Sequence, residues 1–310
     1  MKRKVSRIGP ATLMVSLPSK WVKKYGLKKG DEINLEDKEN KLIISTAKAE
    51  PEISKITVDV SGMDDYILQL FLTAVHKKGF DEVSLRYDDP RKIDSVRVRI
   101  STLLGYEVVE QRPKYCRIRN VSGDLEKEYD SLLRRSFLVN KNLFENVKGA
   151  LESNDFSGAD SMIALEKTNN RLTNYCERIL VKKLYKGIDS FVAYVIVWNI
   201  ESIADDLRDL IKDIVSKKKK VTFSKEFIKN FGAVMKLFDS YYSLFYSFSI
   251  DGMNNLKAEA VKLKSELSGF LQKEPYSFYL MSITSRIYDM MASTLSINMS
   301  KYVENEPEIK

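Results

Sequence analysis

Histidine is almost missing: His76 is the only one in 310 residues. That excludes Ser-His-Asp and Cys-His nucleophilic catalysis and any multi-histidine metal site. Cysteine is scarce too. Cys116 and Cys176 lie far apart with no C-x-x-C pair, and read as two reduced, buried or half-buried thiols. No G-x-x-x-x-G-K-[ST] or G-x-G-x-x-G loop is present, so phosphate cradling by a glycine-rich loop has no support. Long apolar runs are lacking as well. The longest, residues 191–198, falls far short of the roughly 20 that span a bilayer. The basic start runs into alternating residues rather than an apolar block. The expectation is a cytoplasmic chain without membrane insertion, and not an enzyme.

The last absence is local. Residues 1–30 contain no Asp or Glu but nine Lys and Arg. The whole chain carries a net charge of +8, so the other 280 residues sum to −1. The basic excess is therefore one object, and a concentrated patch of that sign points to a polyanionic partner. The pattern there reads as a strand at 4–8, a Gly9-Pro10 turn, and a strand at 12–17 with Leu13, Val15 and Leu17 on one face. Pro18 opens a short helix at 19–25, and Gly26 ends it. Strands at 32–36 and 41–45 follow, joined by 38–40. Four short strands and one helical turn cannot bury a core alone. The apolar set, Ile8, Leu13, Val15, Leu17, Val22, Leu27, Ile33, Leu35, Leu42 and Ile44, needs a second copy to close on. This predicts a homodimer.

The run Ile8-Gly9, Leu17-Pro18, Trp21-Val22, Gly26-Leu27 and Gly30-Asp31-Glu32-Ile33 resembles the SpoVT/AbrB family of swapped-hairpin DNA-binding domains. The resemblance covers residues 1–46. It implies a small swapped-hairpin β-barrel, made of two interleaved chains, that docks on duplex DNA. Carried over by position, Arg3, Lys4, Arg7, Lys20, Lys23 and Lys24 are the DNA-contact candidates. Lys and Arg on phosphates would supply affinity, with few side chains reading bases.

Residues 47–54 have the Ala/Glu/Pro composition of a linker. Residues 55–121 read as a small α/β unit, with strands at 56–60, 82–86, 106–112 and 115–121 and helices at 63–78 and 90–103. No site constellation stands out in it, and the expected tasks are packing, spacing or dimer contact. His76 precedes Gly79 at a helix end and reads as a capping residue.

Residues 124–304 change character. Six helices are expected, at 124–152, 157–185, 188–216, 224–250, 253–273 and 275–304. They fall into two three-helix repeats, 124–216 and 222–304. Ser157-x-x-Asp160 looks like a capping box, and Asp251-Gly252 like a break. The third helix places Ile196, Ile200, Ile203, Leu207, Leu210, Ile211 and Ile214 in one stripe. Away from the stripe lie Glu201 and Asp205, four apart and so neighbours. Adjacent carboxylates need a cation between them. Arg208 and Lys212 share that face, and a hard metal ion is the other resolution. Residues 217–220, a lysine run, read as a solvated loop.

The repeat and the Glu201-x-x-x-Asp205 pair resemble the PhoU family, a bundle of two three-helix repeats. That resemblance implies a divalent or ferric metal held by Glu166, Glu201 and Asp205 in the first repeat; no cofactor is otherwise required. In the second repeat Ser285 replaces the expected Glu and only Asp289 remains, and Asn170 stands where an Asp is usual. The fold class is therefore multi-domain: an AbrB-like barrel, a small α/β unit and a six-helix all-α PhoU-like bundle. The combination resembles archaeal phosphate-uptake regulators. It implies a dimeric DNA-binding regulator whose helical part receives the phosphate-status signal. The alternative is an adaptor docking on phosphate ABC transporter components or a sensor kinase, its head only dimerising.

Overall fold

The computed structural model describes residues 2–10, 12–38, 41–46, 53–123, 128–182, 189–217 and 221–299. The chain divides into two compact units, Met1–Ile53 and Ser54–Lys310. Most of the expected linker, the lysine run at 218–220 and everything after 299 lie outside the described residues.

In the first unit, β1 (Ser6–Ile8) and β2 (Thr12–Met14) form an antiparallel hairpin in which Arg7 faces Leu13 in register. Gly9 takes φ +77 in the turn, a conformation that glycine adopts without penalty. Helix α1 (Ser19–Lys24) follows. Its end is closed by the Leu27 N–H on the Val22 carbonyl, with Gly26 at φ +63, a Schellman-type stop. Strands β3 (Ile33–Lys38) and β4 (Lys41–Thr46) form a second antiparallel hairpin. The second expected strand, 12–17, stops at Met14, because β1 offers only three residues to pair with.

Among the described residues the single chain closes no barrel. Its two hairpins are separate two-stranded sheets. Among the described residues of this unit only Thr46 is buried. Leu13 is 70% exposed and Leu35 59% exposed, although both alternate as core residues do.

The second unit opens with β5 (Lys55–Asp59), α2 (Asp65–Lys77), β6 (Glu82–Arg86), α3 (Lys92–Ile100), β7 (Tyr106–Arg112) and β8 (Tyr115–Asn120). The sheet order is β5-β6-β8-β7, with β5 and β6 parallel across α2 and the other pairs antiparallel. Asp64 caps α2 by accepting the Ile67 N–H at 2.8 Å. Val60, Leu68, Leu72, Val83, Leu85, Val96, Cys116 and Ile118 are fully buried in its core.

Among the described residues six helices complete the unit: α4 (Tyr129–Ser153), α5 (Ala159–Val181), α6 (Ser190–Ser216), α7 (Lys225–Tyr246), α8 (Ile250–Phe270) and α9 (Ser277–Asn298). They share one continuous apolar core. All seven members of the α6 stripe are buried, because α6 packs against α4, α5 and α9 at once. Burying one such side chain is worth at most about 1.5–3 kcal/mol. Two local signals turned out differently. Ser157-x-x-Asp160 is no capping box: Gly158 occupies the cap, and Asp155 accepts the Ser157 N–H at 2.9 Å. Asp251-Gly252 lies inside the first turn of α8, because the Ser249 hydroxyl caps the Gly252 N–H one turn earlier. The segments 55–121 and 124–304, separate domains by sequence, pack as one compact unit.

Candidate functional site

The six basic candidates are all exposed, in two groups. Arg3 and Lys4 precede β1, and Arg7 lies on it. The Arg3 guanidinium donates to the Ser16 hydroxyl at 3.3 Å and Arg7 donates to the Pro10 carbonyl, so both are held against their own hairpin. Lys20, Lys23 and Lys24 sit on α1 at spacings of three and four, which puts them on one face. Lys23 and Lys24 occupy the last turn, where the helix dipole favours cations. The Lys24 ammonium lies 5.0 Å from the Tyr25 ring centre. Trp21 and Val22 are the half-buried members of α1, on the other side. Neither group has an Asp or Glu interleaved in its own stretch of sequence, since residues 1–30 contain none.

The acidic face of α6 is built differently from the implied metal site. The Arg208 guanidinium bonds Glu166 at 2.7 Å, contacts Asp205, and bonds Asp209 at 2.9 Å. The Asn170 amide, standing where an Asp was expected, donates to the same Glu166 carboxylate at 2.6 Å. Glu201 turns away to Lys77 of α2, at 3.3 Å. Each carboxylate is thus matched by a protein cation. Among the described residues no group of three or more His, Cys, Asp or Glu is placed to hold a metal ion. The donor set Glu166, Glu201 and Asp205 does not fit a metal here. The resolution by Arg208 is the one that the helix spacing offered; Lys77 could not be anticipated.

Lys77 also bonds Glu177 of α5 at 2.8 Å and lies 5.4 Å from the Trp198 ring centre. Two carboxylates therefore share one ammonium. Glu177 is fully buried; its Oε2 accepts from the Tyr194 hydroxyl at 3.1 Å, and its Oε1 has no partner among the described residues. Burial raises the Glu177 pKa against the pull of Lys77. Burial pushes Glu201 up to about 7, with the Glu177 charge adding to the rise.

A second contact joins the α/β unit to the helices. Arg178 of α5 is buried and donates to the His76 and Phe80 carbonyls at 2.9 Å each and to Asp81 at 2.6 Å. Lys182 reaches the same Asp81 oxygen at 2.8 Å. Burial would raise Asp81, but Lys182 and Ser54 hold it below the usual carboxylate value. Gly79, at φ +88, allows this approach, since a Cβ there would lie 2.4 Å from the Lys182 side chain. His76 is no exposed cap. It is wholly buried, with Nε2 2.9 Å from the Leu104 carbonyl, and burial lowers its pKa to about 3.

Fold and charge define a small basic β-hairpin head, followed in the chain by a larger unit of sheet and helices. Comparison with known families agrees for the head. Residues 7–52 match the family described as antidote-toxin recognition MazE, bacterial antitoxin. This places a MazE/AbrB-type domain at the head, and the match does not extend to the helices. No curated protein matches the chain. No solved structure matches it. Among the described residues no helix is long and apolar enough to cross a membrane.

Proposed function

We propose that the chain is a dimeric DNA-binding regulator whose head docks on duplex DNA. One observation carries the reading: a MazE/AbrB-type head presents six exposed cations from a stretch, residues 1–30, whose sequence has no Asp or Glu. The exposed apolar faces of its hairpins supply the dimer contact, since two copies could bury what one cannot. Arg3, Arg7 and Lys20 bind phosphates, so affinity falls steeply with salt. The resemblance of 124–304 to PhoU bundles makes phosphate uptake the regulated process and the helices the receiver of its signal. The reading needs neither a cofactor nor catalysis.

The test is duplex binding by the full chain across a salt series. Replacing Arg3, Arg7 and Lys20 with Ala should flatten the log–log salt slope by about one unit per lost phosphate contact. Duplex affinity unchanged by both salt and the triple variant would refute the reading. Absence of duplex binding, with capture of transporter components or of a toxin, would favour the adaptor or the antitoxin in its place.

A further inference from the structure

The face of the sheet opposite α2 and α3 is polar, and its charges are arranged by register. In the first row Lys55, Glu82, Arg119 and Glu107 lie side by side across the strands. Glu82 pairs with Arg119 at 2.9 Å and with Lys55 at 3.6 Å, so the row is neutral. The next row aligns Thr57, Ser84, Arg117 and Glu110, and Arg117 pairs with Glu110 at 2.8 Å. The third row is Asp59, Arg86, Tyr115 and Arg112, with Lys114 in the adjoining turn. Here the cations outnumber the acids. Arg112 shares Glu110 with Arg117, at 2.6 Å, and Asp59 accepts the Ser61 N–H at 2.9 Å while also feeling the charge of Arg86. Arg86 and Lys114 are exposed and make no ion pair among the described residues.

This surplus sits in a cleft of about 780 Å³, where Arg86, Arg112, Lys114 and Arg117 face Asp59, Asp88 and Glu110. The cleft lies beyond the carboxyl ends of the parallel strands β5 and β6, and the β7–β8 turn forms its far wall. The wall is fixed, because the Tyr87 N–H donates to the Lys114 carbonyl at 3.2 Å. The carboxyl ends of parallel strands are where open α/β sheets place their ligands. Arginine forks from two strands and one ammonium can reach a tetrahedral oxyanion from separate directions.

We propose that this cleft binds a small phosphate-bearing molecule through Arg86, Arg112 and Lys114. The sheet unit then takes up the small ligand itself, and the helices packed on it receive the signal. The inference stands apart from the DNA reading, because it is measured with no nucleic acid present.

The experiment is calorimetric titration of the full chain at low ionic strength with inorganic phosphate, pyrophosphate and ATP in separate arms. These arms separate a free-phosphate site from one for phosphate esters. The Arg86→Gln/Lys114→Gln double variant should bind the preferred probe at least about tenfold more weakly, equivalent to about 1.4 kcal/mol. The Lys55→Gln/Arg119→Gln variant, at the neutral end of the same face, should bind within about twofold of the parent, in contrast to that tenfold step. Both altered cleft positions are exposed, and unchanged circular dichroism verifies the fold. Arg86→Lys/Lys114→Arg should restore most of the affinity. Equal binding by parent and double variant would overturn the proposal, as would no heat with any of the three probes at about 10 mM, weaker than any useful site. Loss of duplex affinity in the double variant with anion binding intact would also overturn it, making the cleft part of a nucleic-acid face.

Discussion

His76 shows how far one side chain can depart from what its neighbours in sequence suggest. Beside Lys77 and Lys78 and before Gly79 it has the setting of an exposed cap. In the fold it is wholly buried and uncharged, packed edge-on against Tyr106. Its folded pKa of about 3 lies below the ordinary 6.5, chiefly through burial. As pH falls through 6.5, the unfolded chain takes up a proton that the folded one refuses. The stabilisation is thus full above about pH 6.5 and is lost progressively toward pH 3. Relative to a His76→Gln variant, the parent should lose about 1.4 kcal/mol per pH unit below about 6 in urea unfolding. Glu201, raised to about 7, works in the opposite sense, its contribution shrinking as pH rises from the ordinary carboxylate value toward 7. It is present in both chains and cancels in the difference. Parallel pH curves for parent and variant would refute the His76 account.

Among the elements, α6 was the most legible and also the most misleading. Its apolar stripe follows the 3.6-residue period, so Ile203 and its companions could be assigned to the core from spacing alone. Replacing Ile203 with Ala should cost about 2–5 kcal/mol by calorimetry, as a cavity at a fully buried site does. A loss below about 1 kcal/mol would show that the site collapses around the deletion. For the acidic residues of the same helix, spacing offered Arg208 and Lys212 as counter-ions, and most of the cations that match them come from other helices. Asp206 takes Arg286 of α9 at 2.7 Å, Glu201 takes Lys77 of α2, and Asp205 shares Arg208 with Glu166 of α5. Helical spacing reveals which residues share a face, but not which distant segment covers it. Lys77 and Glu201 are 124 residues apart, and no local pattern links them. Capping signals were similarly partial. Ser224 does cap α7 through the Phe227 N–H, whereas Ser157 lost its place to Gly158.

For the whole molecule, the contrast between the two units is one of self-sufficiency. The second unit buries a full core, and the first leaves Leu13, Leu35 and Leu42 open to water. Composition and alternation made that deficit visible in the sequence, and hairpins of this size rarely persist alone. In hydrogen exchange on the full chain, amides of β3 and β4 should be protected at high protein concentration and lose protection on dilution. Protection independent of concentration would argue against dimerisation through the head. The charge surplus at the end of the sheet was not legible, since it depends on a cross-strand register that pairs Arg86 with Tyr115.

The buried Arg178 bears on where this chain can be cut. Its acceptors, the carbonyls of His76 and Phe80 and the carboxylate of Asp81, all come from the sheet side of the unit. A truncation that begins at residue 129 would strip Arg178 of all three acceptors and open to water the face of α5 that α2 covers. The helices therefore have to be expressed together with the sheet, and any natural shuffling of these parts would have to carry residues 54–299 as one cassette.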